Sequence, residues 1–217
     1  MCIRKFFHKL KMGFVRRGGN PIPYTSEQKL YGMEGESELV DMIRKQFPSC
    51  RIKRNVLIQT KEGVAEIDCL VLYMHKLFAI EVKSWKGDLT ETDDGFLQEK
   101  LDQWTDELHT KRHSSPFRQI GRAIHLLRTQ IKTSAWVNPI VFFEDADSVY
   151  VKSENVWFDN ISDLVTYIEL GGKRSTPDSA KYLFDRCIVA DCLVDNYDYL
   201  QCRLCDSSLR FFKISLY

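Results

Sequence analysis

Two short segments with strand character constrain the fold and chemistry of this chain more than any other feature. The first is Glu66-Ile67-Asp68, and the second is Glu81-Val82-Lys83, which ends the apolar run from Leu77 to Ile80. Residues two apart on a β-strand share a face, so Glu81 and Lys83 project together. The same Glu-x-Lys spacing also occurs on ordinary half-exposed strands. Two carboxylates and an ammonium group on neighbouring strands are, however, what a metal-dependent phosphodiesterase uses to hold a cation and orient water.

A third carboxylate comes from a segment with helical periodicity, Glu34 to Phe47. Its apolar stripe consists of Leu39, Val40, Ile43 and Phe47. Glu36 falls on the same stripe, one turn earlier. Burying this carboxylate without a partner would cost free energy or keep it protonated. A cation bound at the sheet would remove that cost, so we expect Glu36 to face the two strand segments.

A second helix is expected to begin at Ser114-Ser115-Pro116, since proline suits the first helical turn. The residues of its buried face are Ile120, Ala123, Ile124, Leu127 and Ile131. Gln119 lies at the edge of that stripe, near the start of the helix. The residues before the helix, His109 to His113, include Lys111 and Arg112 and predict a basic loop, either solvated or in contact with phosphates.

Several motifs occur along the chain in a characteristic order. They are Gly32-Met33-Glu34-Gly35-Glu36, Asn55-Val56, Glu66-Ile67-Asp68, Ile80-Glu81-Val82-Lys83-Ser84-Trp85-Lys86-Gly87, Ser115-Pro116-Phe117-Arg118-Gln119, and the strands 139–143 and 156–158. Together they resemble the nuclease-related domain, or NERD, family of the PD-(D/E)XK nuclease superfamily. The resemblance covers roughly residues 30–170. Ser115 stands where that family usually has Asn.

The resemblance implies an α/β, restriction-endonuclease-like fold with a mixed central sheet flanked by helices. It also implies an active-site set, which would be Glu36, Asp68, Glu81, Lys83 and Gln119. The expected activity is hydrolysis of nucleic-acid phosphodiesters, with DNA the expected substrate, in DNA repair or in defence against foreign DNA. In that reading Asp68 and Glu81 bind Mg²⁺ or Mn²⁺, Glu36 completes the site, Lys83 positions the attacking water, and Gln119 orients the phosphate.

A function from a different class stays open, namely a non-catalytic module that binds nucleic acid or associates with a membrane on a nuclease fold. All five expected site positions carry the residue types of an active enzyme, which favours catalysis.

Composition predicts a cytoplasmic enzyme. The 217 residues are 44% hydrophobic and 12% aromatic, enough for one core of ordinary size. No run approaches the roughly 18 apolar residues of a membrane-spanning helix, and no secretory signal is evident. Seven cysteines without a regular framework favour reduced thiols over a disulfide scaffold.

The first 20 residues form a basic arm with six Lys and Arg and no acid, while the rest of the chain carries 25 basic and 30 acidic residues. The arm's apolar residues have helical spacing, and they are Ile3, Phe6, Phe7, Leu10 and Phe14. An amphipathic helix here could dock on the domain, bind an anionic membrane surface, or bind the phosphate backbone of DNA. A membrane contact would make the protein peripheral at the membrane. Residues 18–23 read as the linker that follows.

The C-terminal extension, residues 171–217, lies outside the resemblance and its role is unknown. Its four cysteines are Cys187, Cys192, Cys202 and Cys205. One Cys-x2-Cys pair is a weak signal for structural Zn²⁺. The favoured alternative is that these cysteines are small apolar core residues.

Overall fold

The computed structural model describes residues 27–102 and 105–189, with side chains from residue 35 onward. The basic arm and Cys192, Cys202 and Cys205 therefore lie outside the described residues. The predictions that depend on them, namely membrane or DNA binding by the arm and a zinc site at the cysteines, also concern residues outside this range.

The described residues form four helices and ten strands. The helices are α1 (Glu27–Gln46), α2 (Pro116–Ile131), α3 (Ile161–Leu170) and α4 (Pro177–Arg186). The strands are β1 (Arg51–Thr60), β2 (Gly63–Tyr73), β3 (Lys76–Lys83), β4 (Gly87–Glu91), β5 (Gly95–Leu101), β6 (Leu108–Ser114), β7 (Val137–Phe143), β8 (Ala146–Tyr150), β9 (Trp157–Phe158) and β10 (Ile188–Val189).

The strands form two mixed sheets. The six-stranded sheet has the order β10-β1-β2-β3-β7-β9, in which β3–β7 and β7–β9 are parallel and the other pairs antiparallel. The four-stranded sheet has the order β6-β5-β4-β8, with only β4–β8 parallel. The expected α/β class with a mixed sheet is confirmed, and the arrangement is consistent with a restriction-endonuclease-like fold.

Helices cover both faces of the six-stranded sheet. On one face, apolar residues of α1 and α3 pack against Phe78, Ile80 and Val82 of β3. On the other, α2 and α4 pack against Leu77 and Ala79 of the same strand. This alternation along β3 follows from the two-residue period of a strand. It leaves Glu81 and Lys83, which continue the Leu77–Ala79 series, on the α2 face.

Local signals in the sequence set several boundaries. Ser115 caps α2 through its side chain, which accepts a hydrogen bond from the Arg118 amide, and Pro116 occupies the first turn as predicted. The turn between β2 and β3 is made by Met74 and His75, both with positive φ, as tight hairpin turns require.

Other boundaries differ from the sequence prediction. Helix α1 begins at Glu27 rather than Glu34, and the predicted basic loop at His109–His113 is wrong, because these residues lie in strand β6. Every residue of β6 except His113 is exposed, so no apolar alternation marks it as a strand. Backbone pairing with β5 forms it instead. Within the described part of the chain, no helix is long and apolar enough to cross a membrane.

Residues after the resemblance region also join the core. The apolar face of α4, formed by Ala180, Leu183 and Phe184, is buried in the cluster on the α2 face, and β10 pairs with β1. Cys187 is buried there too, with its thiol donating to the Leu183 carbonyl at 3.2 Å. That contact is how a small apolar core residue behaves.

Candidate active site

The site lies where strands β2 and β3 separate. Their antiparallel pairing ends at Cys69–Ile80. Just beyond this pair, the Val82 amide donates to Asp68 Oδ2 at 2.8 Å, so a side-chain carboxylate takes a bond that strand pairing would otherwise supply. The bond fixes Asp68 beside β3 and brings it next to Glu81. The neighbouring strand is irregular at the same level, since Asn55 of β1 has φ 50° and no pairing joins it to Asp68.

Glu81 is a buried carboxylate that is only half satisfied. Its side chain is 1% exposed, and Oε1 accepts a hydrogen bond from Lys83 Nζ at 2.5 Å. Its other oxygen, Oε2, is buried and has no hydrogen-bond partner among the described residues. A buried carboxylate oxygen without a donor costs free energy. The predicted pairing of Glu81 and Lys83 on one face is therefore present, with one oxygen left for a further ligand.

Glu36 lies close enough to these groups to share their electrostatic field. Burial, together with the negative charges of Asp68, Glu66 and Glu81, raises the pKa of Glu36 to about 7, and the charge of Arg54 opposes this shift. This proximity is what the prediction for Glu36 requires, and its role in the site stays a prediction. Arg54 is the basic residue that partly offsets the raised pKa, and its Nε is itself buried without a partner among the described residues.

The strand carboxylates respond in the same way. Burial, followed by the charge of Asp68, raises the pKa of Glu81 to about 7, although Lys83 opposes the shift. Burial also raises the pKa of Asp68, against the Val82 hydrogen bond and the charge of Lys83. Three neighbouring carboxyl groups thus have too little positive charge around them, which is the condition that a bound cation relieves.

The donor set fits a hard divalent cation, because carboxylate oxygens are its preferred ligands. The orphaned Oε2 of Glu81 supports the same conclusion. Within residues 35–102 and 105–189, however, no three His, Cys, Asp or Glu side chains already converge as a complete metal cage. Asp68 and Glu81 are thus the residues that could hold a cation, with Glu36 beside them.

Gln119 stands apart from the acidic residues. It lies in the first turn of α2, its side chain is exposed, and no described contact joins it to Asp68, Glu81 or Lys83. Helix α2 packs on the face of the sheet that carries Glu81 and Lys83. Its first turn follows His113, whose ring stacks on Trp85 with 4.0 Å between ring centroids. Trp85 in turn lies 5.9 Å from Lys83 Nζ.

Sequence reasoning missed two acidic residues of this region. Glu66 lies two positions before Asp68 on the same strand, and its charge acts on both Glu36 and Glu81. Glu144 follows β7, the parallel neighbour of β3, and accepts a hydrogen bond from Ser84 Oγ at 2.7 Å. A usable signal existed in each case, since Glu66 shares the two-residue strand period of Asp68, and Glu144 directly follows an apolar run, as Glu81 does.

Glu144 also lies against the glycine that precedes Glu36. A Cβ atom added to Gly35 would overlap the Glu144 carboxylate. Gly35 of α1 therefore lies close to the side chain of the residue that follows β7.

An α/β fold with carboxylates and a lysine where two central strands separate is the arrangement expected of a nuclease-related protein. The model of the family described as nuclease-related domain matches residues 31–144, more than half of the chain. The chain therefore belongs to the NERD family.

Other comparisons add little. No protein with curated annotation matches the sequence. One similar crystal structure is described as a protein of unknown function, AF1548, with 10% sequence identity and a TM-score of 0.29. The match covers 63% of this chain and 53% of that protein's chain. A likeness at this level carries no argument about fold or activity.

Proposed function

We propose that this protein is a nuclease that hydrolyses DNA phosphodiester bonds with Mg²⁺ or Mn²⁺. The observation that carries the proposal is Glu81: a carboxylate 1% exposed, with Lys83 on one oxygen and no partner among the described residues for the other. A merely structural buried carboxylate would be expected to have both oxygens satisfied. Glu81 is instead arranged to accept a ligand.

In this proposal Asp68 and Glu81 hold the cation, and Glu36 completes the site. A bound divalent cation lowers the pKa of water and stabilises negative charge on a phosphoryl group. The Val82 amide keeps Asp68 in place at 2.8 Å, so the ligand is positioned before the cation arrives.

Lys83 supplies a positive charge directly beside Glu81. Its ammonium group is held by Glu81 Oε1 and lies beside the Trp85 ring, which restricts where it can point. From there it would orient the attacking water and offset charge on the phosphate. Gln119 would orient the phosphate from the start of α2. This role requires the substrate to span the space between Gln119 and the carboxylates of Asp68 and Glu81.

The decisive experiment is an activity assay on linear duplex, circular duplex and single-stranded DNA, with Mg²⁺, Mn²⁺ or EDTA. Cleavage that needs a divalent cation and disappears in Glu81→Gln supports the proposal. Cleavage that Glu81→Gln retains would reveal a contaminant or a different site. The preferred DNA form would then help to distinguish a repair role from defence against foreign DNA.

A folded protein that binds DNA and never cuts it would instead support the non-catalytic binding module. Glutamine preserves the side-chain shape of Glu81 while removing its charge, and the circular dichroism and melting temperature of Glu81→Gln show whether a loss of cleavage occurs in a folded protein.

A further inference from the structure

The hairpin of β5 and β6 presents a face whose side chains can be assigned from its register. Residues opposite each other in an antiparallel pair share a face. The pairs on one face are Phe96–His113, Gln98–Lys111 and Lys100–His109. A hydrogen bond between His113 Nε2 and Gln98 Oε1, 2.8 Å apart, agrees with this assignment. We call this set the inner face of the hairpin.

The inner face begins at the candidate active site. Phe96 is buried in the core, and the His113 ring stacks on Trp85, whose ring lies 5.9 Å from Lys83 Nζ. Burial lowers the pKa of His113, and the charges of Lys111 and Lys83 lower it further, so both lysines act on this ring from their separate positions. A continuous row therefore connects Lys83 to the hairpin.

Charge on the two faces of the hairpin differs. From His113 to the Lys100–His109 pair, the inner face has two lysines, two histidines and an amide and no acid. Among the described residues, neither Lys100 nor Lys111 is in an ion pair. The opposite, outer face carries the pairs Leu97–Arg112 and Glu99–Thr110, so it includes an acid. Arg112 on that face also forms an ion pair with Asp94 at 3.8 Å.

Acidic residues end this basic row, and its length can be compared with the spacing of phosphates in DNA. Asp102 and Glu107 stand in the turn just beyond Lys100 and His109, so the acid-free stretch ends there. Four residues of strand from His113 to His109 span about 14 Å. At about 3.4 Å of helix axis per phosphate on each strand of duplex DNA, this length matches about four phosphates.

Edge strands often carry lysine simply to prevent pairing with another sheet. That explanation applies equally to Lys111 and to Arg112, which are neighbours on opposite faces of β6. It does not account for a row that is free of acids on the single face leading to Lys83. Binding of a polyanion accounts for this acid-free row. The chain beyond its first 20 residues is net acidic and would repel a polyanion, so a surface that binds one has to be free of acidic residues.

We propose that the inner face of the β5–β6 hairpin binds the phosphate backbone of the nucleic-acid substrate and leads it to the active site. The inference rests on the proposed nuclease function and names the surface by which that function engages its substrate.

The test compares Lys111→Gln with Arg112→Gln, which remove equal charge from adjacent exposed positions on opposite faces. Binding of the full chain to duplex DNA is measured in EDTA over a range of salt concentrations, so that cleavage is not needed. Lys111→Gln should weaken binding and reduce the slope of log affinity against log salt by about 0.9. Lys100→Gln/Lys111→Gln should reduce it by about 1.8, and Arg112→Gln should leave it unchanged.

Equal effects of Lys111→Gln and Arg112→Gln would overturn the inference, and so would no effect of either. In both cases cation-dependent cleavage by the wild type would leave the proposed function standing. A wild type that neither binds nor cuts DNA would overturn both. Loss of binding to anionic phosphatidylserine vesicles in Lys111→Gln, with DNA binding unchanged, would assign the hairpin to a membrane surface and overturn the inference.

Discussion

Strand β3 carries two charged side chains that are equally buried, Lys76 at its first position and Glu81 near its end, each 1% exposed. Lys76 Nζ donates to three backbone carbonyls at the end of α3, those of Ile168, Glu169 and Gly171, at 2.7, 2.7 and 2.9 Å. Three donors thus meet three acceptors that a helix end leaves without partners. Glu81 has one hydrogen bond and one orphaned oxygen.

This difference in hydrogen bonding distinguishes a buried charge that stabilises the fold from one that can bind a ligand. Lys76 has every donor satisfied within the protein, so its burial fastens α3 to the sheet and leaves nothing for a ligand. Glu81 leaves an oxygen open next to Asp68, where like charge makes the open oxygen more costly. Equal exposure therefore conceals opposite roles, and the hydrogen-bond count distinguishes them. Four predictions test this contrast.

The largest effect should come from removing a carboxylate at the site. Asp68→Ala and Glu81→Ala should each abolish cleavage while the protein stays folded, because both are expected cation ligands. Without a divalent cation, either change should keep or raise the melting temperature by relieving carboxylate repulsion. Paired activity and melting measurements check this. Nuclease activity surviving in both variants would refute the assignment of the site.

A smaller loss of activity is expected at Lys83. Lys83→Ala should lower the cleavage rate by at least about 10²-fold, the size typical of losing one electrostatic or acid–base group. Mn²⁺ binding, followed by titration calorimetry, should be largely retained because the carboxylates remain. If the variant cuts at the wild-type rate, Lys83 is only a strand lysine paired with Glu81.

The opposite pattern is expected at Lys76. Lys76→Met should lower the free energy of unfolding by about 2–4 kcal/mol, because carbonyls at the end of α3 lose their donors. Denaturant unfolding measures the loss, and Glu81→Gln is the matched variant at an equally buried position on the same strand. Cleavage by the folded fraction of Lys76→Met should stay normal. Equal loss of stability in both variants would erase the proposed contrast.

The last prediction concerns pH. Glu36 and Glu81 have pKa values raised from 4.5 to about 7 in the folded protein. Between these values the folded state binds more protons than the unfolded state, so stability without a divalent cation should fall as pH rises from about 4.5 to 7. Glu81→Gln should flatten this fall in a melting-temperature series. A wild-type curve that rises over the same range would contradict the raised pKa values.

Part of the geometry of the candidate site could be predicted because strand and helix periods are local properties. The two-residue period placed Glu81 and Lys83 on one face, and the helical stripe directed Glu36 towards the sheet. Glu66 and Glu144 were missed although their signals were of the same kind. The basic segment at His109–His113 was misassigned because an exposed edge strand has no apolar period to reveal it.

The sequence by itself determined the α/β class, the family and the identity of the charged groups on β3. Only the tertiary structure decided which of those groups is satisfied. Lys76 meets carbonyls 92 to 95 residues away, and Asp68 takes an amide hydrogen bond from Val82 where strand pairing stops. Periodicity fixes the face on which a side chain emerges. Its partners depend on backbone groups brought close by the register of other segments, which no local pattern encodes.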